Sequence, residues 1–134
     1  PYAGIEQMLN DLISMKVSLA ILSNKADMFT KKCAGRFFPG FRFDVIVGES
    51  EEVPPKPDTK GVFLVAELLH RKPGQIFYAG DSGVDMRTAR KAGIFAVGVS
   101  WGFRPREELE REGANVIIDH PEELLRLFDE DYRA

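Results

Sequence analysis

The sequence predicts an α/β fold with a doubly wound parallel sheet, and two observations carry this prediction. Segments with the apolar spacing of a helix alternate four times with short, continuous apolar runs, which is the pattern of βαβ units. The runs are apolar on both faces, as strands are when helices cover both sides of a parallel sheet. We therefore expect a Rossmann-like sandwich.

The elements are predicted in chain order from these two patterns. The first helix begins near Ile5, where apolar residues fall at positions i, i+3, i+4, i+7 and i+8 and so share one helical face. Gly93 stands where a helix ends in the left-handed region, and Pro121 suits the first turn of a last short helix. The other predicted helices are 26–36, 61–70 and 84–92, and the predicted strands are 17–22, 44–47, 76–79 and 95–99.

Size and composition predict one ordinary globular domain. The 134 residues are 44% apolar and 29% charged with a net charge of −3, which gives no reason to expect nucleic acid or an anionic membrane as a partner. A single cysteine, Cys33, excludes an internal disulfide and a cysteine-based zinc site, so we expect a reducing cytoplasm. No apolar run approaches the roughly 18 to 20 residues of a membrane span.

Two carboxylates follow the predicted strand 76–79. Asp81 and Asp85 lie four residues apart across a strand-to-helix turn, at the end of the sheet where open parallel sheets bind ligands. Such a turn can offer Mg²⁺ the oxygen ligands that it prefers. The alternative is that Asp81 or Ser82 only caps the next helix. Capping accounts for one carboxylate and leaves the second unexplained, so we favour a metal site.

The predicted strand 17–22 ends in Ser23, Asn24 and Lys25, where a helix is expected to start. Backbone N–H groups at a helix start favour an anion, and the Ser23 hydroxyl adds a donor, so a phosphate could bind here. A plain helix cap explains the same three residues equally well, and from them alone both interpretations remain open.

Lys56 lies in a proline-rich segment, 54–58, between the second predicted strand and the next helix. Because prolines fix φ, they hold this lysine on a stiff backbone, which suits an ammonium that neutralises a phosphate oxygen and nearby acids. From spacing alone, a solvated surface lysine is the simpler interpretation.

Three motifs together resemble the haloacid dehalogenase superfamily. Ser23-Asn24-Lys25, Lys56-Pro57 and the segment 80–85 match its second, third and fourth motifs in order and in strand context. The segments 98–103, 107–109 and 113–114 are similar to the ending of its phosphoglycolate phosphatase-like branch. The resemblance implies a Rossmann-like core and Mg²⁺-dependent hydrolysis of phosphate monoesters through an aspartyl-phosphate intermediate.

The resemblance also implies a role for each matched residue. Ser23 would bind the transferring phosphoryl group through its hydroxyl, with the backbone of Asn24 assisting. Lys56 would steady the nucleophile and the phosphoryl charge. Asp81 would ligate Mg²⁺ directly, whereas Asp85 would act through water or orient its neighbours. The substrate would be a small phosphorylated metabolite.

The first motif of the superfamily is absent. It is an Asp-x-Asp segment at the end of the first strand, supplies the nucleophile and the general acid/base, and matches no predicted strand end here. The resemblance places the missing strand between strands 17–22 and 76–79 and a helical cap after it, so that residues 1–134 form a partial core and Pro1 lies just after the cap. Without that strand, unpaired backbone groups would destabilise the sheet. We therefore expect a complementing N-terminal segment as a partner, and no turnover by this chain alone.

Three other functions are considered. A non-catalytic module that binds Mg²⁺ or phosphate would explain the missing nucleophile, but it has no need of all the matched side chains. Dehalogenation needs no metal and has little use for the pair Asp81 and Asp85. A receiver-like or dinucleotide-binding module is disfavoured because no Gly-x-Gly-x-x-Gly turn follows an early strand.

Overall fold

A computed structural model describes residues 4–37, 40 and 43–128 of the chain. Helices and strands alternate through the described residues, with a 3₁₀ turn at Pro73–Gln75. The elements are α1 (Ile5–Ser14), β1 (Ala20–Ala26), α2 (Asp27–Phe37), β2 (Val45–Glu49), α3 (Lys60–Leu69), β3 (Phe77–Gly80), α4 (Gly83–Ala92), β4 (Phe95–Val99), α5 (Arg106–Arg111), β5 (Val116–Ile118) and α6 (Glu123–Arg126).

All strand pairs are parallel, and the described strands form two separate sheets. One sheet pairs β1 with β2, and the other has the order β3-β4-β5 with β4 in the centre. The pairing of β1 with β2 is regular from Ala20 to Leu22 and then shifts register before Ala26, so Ser23 to Lys25 lie in an irregular part of the strand. Among the described strands, β1 and β3 do not pair with each other.

Helices cover both faces of the β3–β5 sheet. On one face, Val97 and Val99 pack in a buried cluster with Leu9 of α1 and Leu124 of α6. On the other face, Ala96 joins a cluster built mainly from α3, α4 and α5. Successive residues of a strand point to opposite faces, so this alternation explains why β4 reads as a continuous apolar run. The predicted α/β class is confirmed.

Most element boundaries agree with the sequence prediction, and two elements were missed. β4 has the predicted bounds, and Gly93 ends α4 with a φ of 73°, as expected. β1 begins at Ala20 and continues to Ala26, so Ser23 to Lys25 form its end rather than follow it. The prediction did not include α5 or β5. α5 is held by Leu109, which is fully buried, and burial of such a side chain contributes roughly 1.5–3 kcal/mol.

The last helix starts later than predicted: it begins at Glu123, and Pro121 lies in the turn before it. In the part of the chain that the structure describes, no helix is both long and apolar enough to cross a membrane.

Candidate active site

The Asp85 carboxylate, in the first turn of α4, accepts hydrogen bonds from four donors. Oδ1 accepts from Lys56 Nζ at 2.6 Å and from the Tyr78 hydroxyl at 3.2 Å. Oδ2 accepts from the backbone N–H of Asp81 at 3.2 Å and from the Ser82 hydroxyl at 3.1 Å. An ionised carboxylate has about four lone-pair sites, so the protein itself satisfies Asp85.

Ser82 also caps α4, because its side chain accepts a hydrogen bond from the backbone N–H of Asp85. The capping alternative is therefore correct for Ser82, and it coexists with the clustering of the two acids. Gly80 makes room for this turn: a Cβ at residue 80 would lie 2.3 Å from Cβ of Asp85. Any side chain at position 80 would displace the Asp85 carboxylate.

Lys56 and Asp85 form a nearly buried ion pair. Their side chains are 13% and 10% exposed, so water screens this pair much less than a surface pair. The neighbouring Tyr78 is also largely buried: burial raises the pKa of its phenol, and the negative charge of Asp85 and the hydrogen bond to it raise that pKa further. The phenol consequently remains a hydrogen-bond donor.

The side chain of Asn24 clamps the backbone of Lys56. Its Oδ1 accepts from the Lys56 N–H at 2.7 Å, and its Nδ2 donates to the Lys56 carbonyl at 3.5 Å. This contact joins the end of β1 to the proline-rich loop, in which the Lys56–Pro57 peptide is cis. The prediction gave Asn24 a role through its backbone, and this side-chain contact, which joins residues 32 apart, was not foreseen.

Asp81 differs from Asp85 because its carboxylate is exposed and accepts no hydrogen bond from any residue that the structure describes. The backbone of the loop after β4 packs against it: a Cβ at Gly102 would lie 2.7 Å from Oδ2 of Asp81. Asp81 is thus held from one side, and its oxygens are available to a ligand.

These side chains meet in a cleft of about 500 Å³ at the carboxyl ends of the strands. Four predicted site residues line it, namely Asn24, Lys56, Asp81 and Asp85. Ser23 is not among the described residues that line the cleft, and its hydroxyl accepts a hydrogen bond from the backbone N–H of Lys25. Sequence reasoning missed the other charged residues of the lining, which are Arg87, Arg104, Glu108, Arg111 and Glu112.

Glu108 of α5 stabilises the turn between β3 and α4. Its carboxylate accepts from the backbone N–H of Gly83 at 2.7 Å and so caps the start of α4 from α5. It also contacts Arg104 at 3.6 Å. The segment 107–109 entered the sequence analysis only as part of a resemblance, because contacts over 25 residues leave no local signal.

The donor set fits a hard cation in part. Asp81 offers exposed carboxylate oxygens at a sheet edge, as Mg²⁺ requires, and Asp85 can orient groups around it. The described residues contain no group of three His, Cys, Asp or Glu side chains that could hold a metal ion. Mg²⁺ at Asp81 would therefore need further ligands from water, from a phosphate or from another segment.

Comparison with known proteins decides the family. The model of the haloacid dehalogenase-like hydrolases matches residues 1–99. The chain belongs to the haloacid dehalogenase-like hydrolase family. In this family the chain is 28% identical over 124 residues to a phosphoglycolate phosphatase of Pseudomonas syringae, and the match covers 92% of the chain and 46% of that protein.

Two further matches agree with the assignment to this haloacid dehalogenase-like family. An N-acetylmuramic acid 6-phosphate phosphatase of Pseudomonas aeruginosa is 28% identical over 130 residues, covering 96% of the chain and 58% of that protein. A solved structure from Lactobacillus delbrueckii, whose suggested activity is that of a phosphoglycolate phosphatase, is 33% identical with a TM-score of 0.87, covering 92% of the chain and 52% of that structure. The chain spans about half the length of the curated relatives it matches.

Proposed function

We propose that this chain is the larger part of a Mg²⁺-dependent phosphatase core that hydrolyses small phosphate monoesters. One observation carries the proposal: Asn24 at the end of β1, Lys56 in the loop after β2, and Asp81 and Asp85 after β3 line a single cleft. The family assignment and the two phosphatases among the relatives support the same reaction class. The branch named by the resemblance makes 2-phosphoglycolate the first substrate to test.

In this proposal each residue has a defined task. Lys56 faces the cleft and neutralises a phosphoryl oxygen, Asp85 holds Lys56, and Ser23 with the backbone of Asn24 binds the phosphoryl group. Asp81 holds Mg²⁺, which when bound offsets negative charge on the phosphoryl oxygens. Positioning and charge stabilisation account for most of the catalysis of phosphoryl transfer, so these residues suit the reaction.

The nucleophile is proposed to come from a strand outside residues 1–134. Its carboxylate would attack phosphorus while the P–O bond to the ester oxygen breaks, and the second acid of the same segment would give that oxygen its proton. Water, deprotonated by that acid, would then attack the phosphorus of the aspartyl phosphate, which releases inorganic phosphate and restores the carboxylate. A groove between the two sheets offers a place for this strand. β1 and β3 border the groove with edges that have no strand partner among the described residues, and α3 forms its floor.

The lining of the groove suits a strand with an apolar face. It contains half-buried apolar side chains from β1, β3 and α3, and backbone groups along both edges can pair with an added strand. Such a strand would join β1–β2 and β3–β5 into one sheet, with the order β2-β1-new strand-β3-β4-β5. If it ran parallel to its neighbours, the new strand would end beside the carboxyl ends of β1 and β3. Carboxylates directly after it would then lie at the cleft, near Asp81.

The test compares this chain with a version extended upstream through the proposed strand. We expect Mg²⁺-dependent hydrolysis of p-nitrophenyl phosphate and 2-phosphoglycolate by the extended protein only. Asp81→Asn should abolish this activity and the rise in melting temperature that Mg²⁺ causes, because a ligand that binds only the folded state stabilises it. Glu67→Gln, which changes an exposed carboxylate on α3, serves as the matched control and should leave both unchanged.

Two results would contradict the proposal. Activity in the 134-residue chain alone would show that no added strand is needed. An inert extended protein that still binds Mg²⁺ would favour the non-catalytic binding module.

A further inference from the structure

Tyr78 has a polar contact that its place in an apolar strand does not explain. The residue lies in β3, and its ring packs against the buried cluster formed by α3, α4, α5 and β4. Its hydroxyl nevertheless reaches Asp85 Oδ1 at 3.2 Å, the same oxygen that accepts from Lys56 Nζ. Phenylalanine would fill the same space, so packing alone does not require the hydroxyl.

We infer that Tyr78 is a positioning residue, which holds the Asp85 carboxylate so that Lys56 faces the cleft. This inference rests on the proposed function and adds a residue to it. A carboxylate only accepts hydrogen bonds, so the phenol is the donor in this contact. Donors to Oδ2 come from the turn itself, whereas both donors to Oδ1 come from other parts of the chain.

The phenol changes what Lys56 can do. With Tyr78 bonded to Oδ1, part of the charge of Asp85 is compensated without the ammonium, and Lys56 keeps N–H donors for a phosphoryl oxygen. Without the phenol, Lys56 becomes the only donor to Oδ1, which draws it towards Asp85 and leaves the carboxylate less restrained. A misplaced charge weakens stabilisation of the transition state more than binding of the substrate.

The test replaces Tyr78 with phenylalanine in the upstream-extended protein, which keeps the ring and removes the hydroxyl. We expect kcat to fall about tenfold, as for the loss of one hydrogen bond to a charged group, with KM changed less than about twofold. Phe95→Leu is the control, because Phe95 lies in β4, packs against the ring of Phe77 and is not among the described residues that line the groove or the cleft. It should lower the melting temperature and leave kcat unchanged at a temperature where the protein is folded.

An unchanged kcat in Tyr78→Phe would overturn the inference, and a lower melting temperature with unchanged kcat would show a structural role only. If the unmodified extended protein is itself inactive, the proposed function fails, and a stability measurement then decides the role of Tyr78. The stability measurement is a double-mutant cycle of Tyr78→Phe and Lys56→Met. Because both donors bind the same oxygen, the double variant should differ from the product of the two single effects on the unfolding equilibrium constant by a factor of about three or more. Independent effects of the two substitutions would refute the shared role.

Discussion

Replacing Lys56 with methionine removes the cation from a pair that is almost buried. Lys56 Nζ lies 2.6 Å from Asp85 Oδ1, and the two side chains are 13% and 10% exposed. Methionine keeps most of the length and the apolar stem of lysine. The main change is therefore a charged Asp85 that remains in the interior without its counter-ion.

The loss of stability can be estimated from these contacts. Removing one partner of a buried ion pair costs about 3–5 kcal/mol, because the other charge stays desolvated. Asp85 keeps three donors, from Tyr78, Ser82 and the backbone of Asp81, so we expect the lower end, about 3 kcal/mol. A second change, Asp85→Asn, removes the uncompensated charge and should recover part of that loss.

Urea unfolding of the upstream-extended protein measures both effects. Lys31→Met is the matched control, because Lys31 pairs with Asp27 at 2.8 Å but the side chains are 58% and 37% exposed. Water screens an exposed pair, so the control should change the unfolding free energy little. If Lys56→Met costs no more than Lys31→Met, Asp85 is well solvated and the reasoning about its burial is wrong.

Two further predictions concern Asp81 and Asp119. Gly102→Ala places a methyl group 2.7 Å from Oδ2 of Asp81, so it should weaken the rise in melting temperature that Mg²⁺ causes. Gly74→Ala is the control, because its new Cβ has no atom within 4 Å, and it should leave that rise unchanged. Equal responses of the two variants to Mg²⁺ would contradict the contact at Gly102. The hydrogen bond from Ser100 holds the pKa of Asp119 below its ordinary 3.8, so Asp119 stabilises the fold above that pH and this stabilisation is lost as the pH falls through the lowered value. Asp119→Asn should therefore flatten the fall of melting temperature between about pH 5 and about pH 2, and an unchanged slope would exclude this contribution.

The parts of the fold that sequence predicts well are those with long, repeated patterns. β4 is buried on both faces, so its apolar run marks both of its ends. α5 has six residues, of which only Leu109 is apolar, and β5 has three residues. Neither is long enough to show a period, and both owe their stability to packing against the rest of the chain. Such elements have little local signal.

The residues of the candidate site also differ in how much local sequence signal they carry. Asp81 and Asp85 could be predicted because they follow a recognisable strand and because the carboxyl ends of parallel strands lie at the same end of a sheet. Lys56 was assigned to the site only through the resemblance, since its spacing alone favoured a surface lysine. Tyr78 reads as a core residue, since nothing local distinguishes a phenol that reaches a carboxylate from one that only packs. The clamp between Asn24 and Lys56 joins residues 32 apart, so it depends on how the strands are arranged in space. The phosphate-binding role of Ser23 stays a prediction.

The division of the strands into two sheets has a consequence for Lys56 and Asp85. Lys56 lies in the connection after β2, a strand of one sheet, and Asp85 lies in the first turn of α4, which follows β3 of the other sheet. Their ion pair therefore bridges two bodies whose strands share no hydrogen bond among the described residues. A strand that entered the groove would set the spacing of these bodies and, with it, the distance between ammonium and carboxylate. Formation of a single sheet would then also align the two charges, and a version of the protein supplied with that strand as a separate peptide could report its binding through turnover.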